Sequence, residues 1–200
     1  KLFLHFISSS KQSIVVSLLR HLPRNSVPVE VISRFVEEIP TGSLQIDMDI
    51  TVAACRNNSA DLCAVYATNP AQISLCLDVA CQTKIDPQLK EAVIDKCVAS
   101  LRFDDVNLRA ASIKCLLVSG DVKRIPIQMI RSFLGDEKKL LFGYAVLALT
   151  SLALADAVIP DDVVDALLFE ENCCNEMVRA AMIALCRDEK NARKILDFIE

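Results

Sequence analysis

Three alanines recur at nearly equal intervals within apolar segments of this 200-residue chain. Ala111, Ala145 and Ala181 lie 34 and 36 residues apart, and a second, amphipathic segment precedes each of these apolar segments. A period of roughly 20 to 50 residues is typical of stacked-repeat proteins, in which each unit buries its apolar face against its neighbours. The spacing therefore predicts consecutive helix pairs and an extended surface.

Four segments open with a proline that predicts the first turn of a helix, because proline lacks the N–H that this turn leaves unbonded. The openings are Val27-Pro28, Asp86-Pro87, Ile125-Pro126 and Ile159-Pro160. After three of these prolines, apolar residues follow at three, four and seven positions, which predicts one apolar stripe on the core side of a helix. These residues are Val31, Ile32 and Phe35, then Met129, Ile130 and Phe133, then Val163, Val164 and Leu167. The Pro87 opening is followed later by Ala92, Val93 and Cys97, which predicts an extra partial turn.

The second helices are predicted from the segments that carry the three alanines. They begin near Asp104-Asp105, at Leu140 and near Asn175-Glu176, and acidic or amide residues at a helix start cap free N–H groups. Alanine at a crossing point lets two helix axes approach closely. Further helical stretches are predicted at 46–56 and 73–81, although spacing alone does not fix how they pair.

The motif carried by these second helices resembles that of HEAT repeats. The resemblance lies in Asp-x-x-x-x-Arg-Ala-Ala at 104–111 and in Val-Arg-Ala-Ala at 178–181, and it is clearest over residues 87–187. It implies an all-α fold, a right-handed superhelix (solenoid) of about five helix pairs spanning residues 1–200. It also implies that Arg109 and Arg179 bridge acidic groups between adjacent units. Gly143 stands where the pattern expects arginine.

Composition argues against a built-in catalytic site. The nine cysteines include no C-x-x-C pair, and His5 and His21 have no carboxylate pair at ligand spacing, so we predict no metal and no cofactor. Scattered free thiols are typical of a reducing compartment, which predicts an intracellular protein. Because the sequence offers no catalytic or metal constellation, we also predict that it is not an enzyme. Only the vicinal Cys173-Cys174, ahead of a helix start, is a candidate for redox or nucleophilic chemistry.

One long apolar stretch of the sequence bears on membrane contact. The 16 uncharged residues from Leu140 to Ala155 fall short of the roughly 20 that a membrane span needs, so we expect a buried helix and no membrane contact.

Residues 191–200 predict an amphipathic helix with no following partner. Because the chain also starts at Lys1 and not at Met, we expect a fragment of a longer protein, or self-association through this C-terminal helix.

A partner-binding surface is predicted from the second helices, which lose polarity along the stack. Aligned on their alanines, they place Asn107, Leu141 and Met177 in one row, Lys114, Ala148 and Ala184 in another, and Ser112, Val146 and Met182 in a third. A helix that is apolar all round must be covered. Either the fold buries the last two helices completely, or they form a groove for a partner helix or peptide. The residues assigned to that groove are Asn107, Lys114, Leu141, Tyr144, Met177 and Met182.

A nucleic-acid surface is the alternative, and it would use the basic zone at 123–139. This zone comprises Lys123, Arg124, Arg131, Lys138 and Lys139, and Arg109 and Arg179 are further basic candidates. The aromatic residue within this zone, Phe133, belongs to the predicted core stripe of a first helix, the net charge is −4, and tryptophan is absent. The same shortage of aromatic residues argues against an enzyme that acts on DNA bases. The sequence thus predicts a scaffold that binds protein, with nucleic-acid binding as the alternative.

Overall fold

A computed structural model describes residues 14, 17, 20, 21, 23–135, 140–169 and 175–200. Within these ranges the regular structure is entirely helical, with eleven bounded α-helices, one short 3-10 helix and no strand. The α-helices are α1 (Val29–Glu37), α2 (Leu44–Arg56), α3 (Ala60–Tyr66), α4 (Pro70–Ala80), α5 (Lys90–Ser100), α6 (Val106–Ser119), α7 (Ile127–Leu134), α8 (Leu140–Leu154), α9 (Asp161–Leu167), α10 (Glu176–Leu185) and α11 (Glu189–Ile199). The 3-10 helix is Val122–Arg124. The predicted all-α class is confirmed for the described part of the chain.

The chain forms two compact units, residues 1–115 and residues 116–200. In the first unit, α1 packs on α2 and α3, α2 packs on α3 and α4, and α3 packs on α4 and α5. In the second unit, α7 packs on α8 and α9, α8 packs on α10, and α10 packs on α11. Helices α1, α2, α3 and α7 therefore each contact both the next helix and the next but one.

The proline openings lie where first helices begin. Helices α1, α7 and α9 start directly after Pro28, Pro126 and Pro160, and their stripes are buried except for the half-buried Met129. Helix α5 starts three residues after its proline, since the Gln88 N–H bonds the Asp86 side chain at 2.7 Å in a turn. This delay shifts the helix phase, so its core residues are Val93, Ile94 and Cys97, and the prediction of Ala92 in the stripe is wrong because Ala92 is exposed.

Polar side chains cap the second helices as expected. The Leu108 N–H donates to Asp105 Oδ1 at 2.8 Å, and the Met177 N–H donates to Asn175 Oδ1 at 2.8 Å. Each bond satisfies one of the N–H groups that a helix start leaves without an internal partner. The capping residues therefore set where α6 and α10 begin.

Helix α3 has no counterpart among the predicted elements of segment 41–84. It is only seven residues long and lies between the predicted stretches that form α2 and α4. Its Asp61 is buried and accepts a hydrogen bond from the Asp86 N–H at 3.0 Å, which anchors the loop before α5. Tertiary contact stabilises this short helix, because so few residues carry little helical preference alone.

The three recurring alanines are buried, at 3%, 0% and 0% exposure for Ala111, Ala145 and Ala181. In the second unit, Ala145 and Ala181 lie on the neighbouring helices α8 and α10, which pack on each other. Because protein interiors are close-packed, a larger side chain at either position is expected to displace its neighbours.

A matched pair of substitutions on α10 tests this packing. We expect Ala181→Leu to lower the free energy of unfolding by about 1 to 3 kcal/mol, because extra methylenes overpack a filled site. The same change at the adjacent, exposed Ala180 should alter it by less than about 0.5 kcal/mol. Urea unfolding followed by circular dichroism measures both. Equal stabilities would contradict a close helix crossing at Ala181.

Candidate functional site

One side of α8 exposes a stripe of large apolar residues. Leu140, Leu147 and Leu154 follow each other at intervals of seven residues and are 43%, 44% and 55% exposed. Tyr144 and Ser151 lie between them at the remaining positions of a 4-3 pattern, and both are half-buried. A 3.5-residue repeat on a helix forms the seam along which a second helix packs. This side of α8 therefore has the pattern of a helix-binding seam.

The opposite side of α8 forms the core of the second unit. Its buried residues are Leu141, Phe142, Ala145, Val146, Ala148, Leu149, Leu152 and Ala153. Because α8 packs on α7 and α10, apolar residues on that side are needed for folding. The outward leucines have no such role within the described part of the unit.

Helix α10 extends the exposed apolar surface beside α8. Ile183 is 74% exposed, and Ala180 lies one turn before it on the same side. A Cβ at Gly143 would lie 3.9 Å from Met177 Cε, so the methionine lies beside the glycine and the two helices meet there. The second-helix face is defined here as Leu140, Gly143, Tyr144, Leu147, Leu154, Met177, Ala180 and Ile183.

The residues predicted for a groove fall into different environments. Leu141 and Met182 are buried, at 3% and 7% exposure, and therefore lie in the core of the second unit. Tyr144 and Met177 are half-buried and belong to the second-helix face. The remaining two lie on α6 in the first unit: Asn107 is exposed, and half-buried Lys114 bonds Asp78 at 3.0 Å. Of the four groove residues in the second unit, Tyr144 and Met177 thus lie on the second-helix face.

Leu147 and Ile183 are the residues that the sequence analysis missed. Each lies two positions after a recurring alanine, and two positions along a helix turn a side chain by about 200°. On α8 and α10 that offset from a buried alanine indicates the outward side, whereas on α6 the same offset falls on Ile113, which is buried at 1% exposure. The offset alone therefore does not identify the outward side. Helices α8 and α10 are covered on one side and open on the other. Val146 and Met182 are buried, as is Ser112 in the same row on α6, whereas Leu147 and Ile183 are exposed.

The basic candidates are dispersed, and acidic groups accompany two of them. Arg131 forms an ion pair with Asp162 at 3.2 Å, and Arg109 forms one with Asp104 at 3.5 Å. Lys123 and Arg179 are exposed, and Arg124 is half-buried. Lys138 and Lys139 lie outside the described residues. Pairing with carboxylates lowers the positive potential that a phosphate backbone would meet at Arg131 and Arg109.

Acidic residues of α9 bind cations of both neighbouring first helices. Arg131 of α7 pairs with Asp162, whereas Lys190 and Lys194 of α11 pair with Asp161 and Asp165 at 2.6 Å each. These three helix-to-helix ion pairs are named here the α9 ion-pair ladder. The hydrogen bond from Lys190 lowers the pKa of Asp161 below its ordinary value.

Other chemistry proposed from the sequence finds no assembled site among the described residues. In those ranges no three His, Cys, Asp or Glu side chains converge as metal ligands, and the described cysteines are free thiols. His21 is exposed, while His5 and the Cys173-Cys174 pair lie outside the described ranges. No described helix is long and apolar enough to cross a membrane.

Comparison with known proteins adds no assignment to this geometry: no protein-family model, no curated protein and no solved structure matches the chain.

The α9 ion-pair ladder predicts loss of stability in acid. Because the pKa of Asp161 is lowered in the folded state, its ion pair stabilises the protein at neutral pH and is lost as pH falls below about 4. We therefore expect Asp161→Asn to lower stability at pH 7 and to weaken the decline in stability between about pH 5 and pH 2. Urea unfolding across that range measures the effect. Asp197→Asn is the control, because Asp197 is an exposed carboxylate on α11 outside the ladder. Parallel pH curves for wild type and Asp161→Asn would exclude this contribution.

Proposed function

We propose that this protein is a non-catalytic scaffold of HEAT-like helix pairs that binds an amphipathic partner helix on its second-helix face. The α8 seam carries the proposal, because leucines recur every seven residues on its exposed side.

The helix contacts within each unit support a repeat arrangement. First helices contact first helices, as in α1 with α3, α3 with α5, and α7 with α9. Second helices contact second helices, as in α2 with α4 and α8 with α10. This pattern agrees with stacked hairpins, each of which contacts only its neighbours. The contacts of α1 with α2 and of α3 with α4 also favour these two combinations as hairpins, although spacing alone did not fix how the helices of 41–84 pair.

Polar bonds between helix pairs have matching sequence separations. Lys114 bonds Asp78 across 36 residues, Lys190 bonds Asp161 across 29, and Lys96 bonds the Ala67 carbonyl across 29. Separations near the proposed period are expected when each unit bonds to the one before it. These bonds favour units that are stacked in chain order within each compact unit of the fold.

The chemistry of the second-helix face favours a helical, largely apolar partner. Leu140, Leu147 and Leu154 would form one seam, and Ile183 on α10 would flank the bound helix. Met177 beside Gly143 adds an adaptable side chain, since methionine packs against varied apolar shapes. Affinity would come from burying these few side chains, as is typical of binding hot spots.

A single charge on this face tests the proposal. We expect Ile183→Asp to weaken partner binding by roughly ten- to a hundredfold, because burying an isoleucine contributes about 1.5 to 3 kcal/mol. Val158→Asp is the matched control, since Val158 is 94% exposed in the turn before α9 and lies off the face. Quantitative mass spectrometry of proteins retained by wild type and by each variant, with circular dichroism to verify folding, measures the effect. A partner set that both variants retain equally would exclude this face.

The nucleic-acid alternative predicts a different response to salt. Binding through phosphate contacts loses affinity steeply as salt rises, whereas binding through an apolar seam changes little. We expect no salt-sensitive binding of duplex or single-stranded oligonucleotides between about 50 and 200 mM salt, because Arg131 and Arg109 already pair with carboxylates. Fluorescence polarisation measures this. Steeply salt-dependent binding that Lys123→Glu weakens would favour the alternative.

Self-association through the C-terminal helix and an intracellular location stay predictions. Helix α11 exposes Leu196 and Ile199, at 58% and 67%, so its surface includes apolar side chains among its charged ones. Such a surface is compatible with contact to another copy, and concentration-dependent sedimentation distinguishes the cases.

A further inference from the structure

Three thiols from successive helices meet inside the first unit. Cys55 Sγ of α2 lies 4.0 Å from Cys76 Sγ of α4, and these two helices pack directly on each other. Cys63 of α3 hydrogen-bonds Cys76 on its other side and donates to Thr51 Oγ1 at 3.6 Å. Cys55 is half-buried, whereas Cys63 and Cys76 are buried. Cys55 is thus accessible to small solutes, and its sulfur contacts the sulfur of Cys76.

We propose that Cys55 and Cys76 are a redox modification site, at which a hydroperoxide converts the two thiols into a reversible disulfide that links α2 to α4. This site lies on the first unit and is independent of the binding function proposed for the second-helix face.

The reaction balances with the hydroperoxide as the oxidant. The Cys55 thiolate attacks the terminal oxygen of the hydroperoxide, the O–O bond breaks, and the alcohol leaves after taking up a proton. Cys55 is then a sulfenic acid. The Cys76 sulfur attacks the Cys55 sulfur, the S–O bond breaks, and the hydroxyl leaves as water with the proton of Cys76. Two thiols are oxidised by two electrons, and one hydroperoxide is reduced to one alcohol and one water.

The distribution of protons agrees with these roles. Hydrogen bonding to Cys55 and to Cys63, together with burial, raises the pKa of Cys76 well above its usual range. Cys76 therefore stays protonated and is the weaker nucleophile toward the hydroperoxide, which leaves the half-buried Cys55 as the thiol that reacts first. The hydrogen bond from Cys76 also lowers the pKa of Cys63.

A second thiol pair in the same unit lacks this arrangement. Cys81 and Cys115 are hydrogen-bonded, and there the raised pKa belongs to Cys81, the half-buried member. A thiol that holds its proton is a poor nucleophile. The member of that pair that meets the solvent is therefore the unreactive one, and Cys55 with Cys76 is the more reactive pair.

Disulfide formation would join neighbouring helix pairs covalently. The two cysteines are 21 residues apart, so the bond would close a loop containing all of α3 and the first part of α4. Such a bond restricts the unfolded chain and stabilises the folded unit. We therefore expect oxidation to raise the thermal unfolding midpoint, and reduction to reverse that change.

Peptide mapping of the whole protein tests the site. Folded protein is treated with increasing hydrogen peroxide, free thiols are alkylated, and unreduced peptides are identified by mass spectrometry. We expect a dose-dependent peptide pair joined through Cys55 and Cys76 that dithiothreitol removes. Cys55→Ser should lower its yield to background, whereas Cys97→Ser should leave the yield unchanged, since Cys97 is a buried thiol of α5 in the same unit.

Three results would overturn the proposal. The first is Cys55 recovered as sulfinic acid while Cys76 is still alkylated, and the second is a link from Cys55 to another cysteine in place of Cys76. The third is an equal loss of the linked pair in Cys97→Ser. Cys76→Ala, verified by circular dichroism, replaces Cys55→Ser if the serine variant does not fold, and wild-type mapping needs neither variant.

Discussion

Close packing between neighbouring helices at small residues is the interaction on which the second unit depends. Ala145 of α8 and Ala181 of α10 are fully buried, and each helix contributes larger apolar residues around that point. Helix pairs of this length cannot cover their own apolar sides, so each needs a neighbour to exclude water. Burial between pairs thereby aligns the second helices and decides which of their sides remains open.

Polar interactions set the starts and relative positions of helices, which apolar burial alone does not determine. Dispersion and hydrophobic contacts have little directionality, whereas caps and ion pairs hold specific atoms together. Asp105 and Asn175 set the starts of α6 and α10, and the α9 ion-pair ladder holds α9 between α7 and α11. Exposed ion pairs contribute modestly to stability, so their main effect here is on helix position.

The two units carry different kinds of chemistry. The first unit holds a cluster of thiols between consecutive helix pairs, while the second presents an apolar seam with a seven-residue repeat. The thiol cluster depends on contacts between helices, which bring residues 21 and 36 positions apart together in the first unit. The seam lies on α8, on the side opposite the residues that form the core of the second unit.

Local signals in the sequence determined the helical class, the first helices after Pro28, Pro126 and Pro160, and the capped starts at Asp105 and Asn175. These depend on backbone geometry and on hydrogen bonds a few residues long, which the nearby residues dictate. Tertiary structure alone decided that Leu147 faces outward while Leu141 is buried, because α8 is apolar on every side and its pattern does not distinguish them. It also decided that α3 forms and that Cys55 meets Cys76, since both depend on contacts between helices that no local pattern encodes.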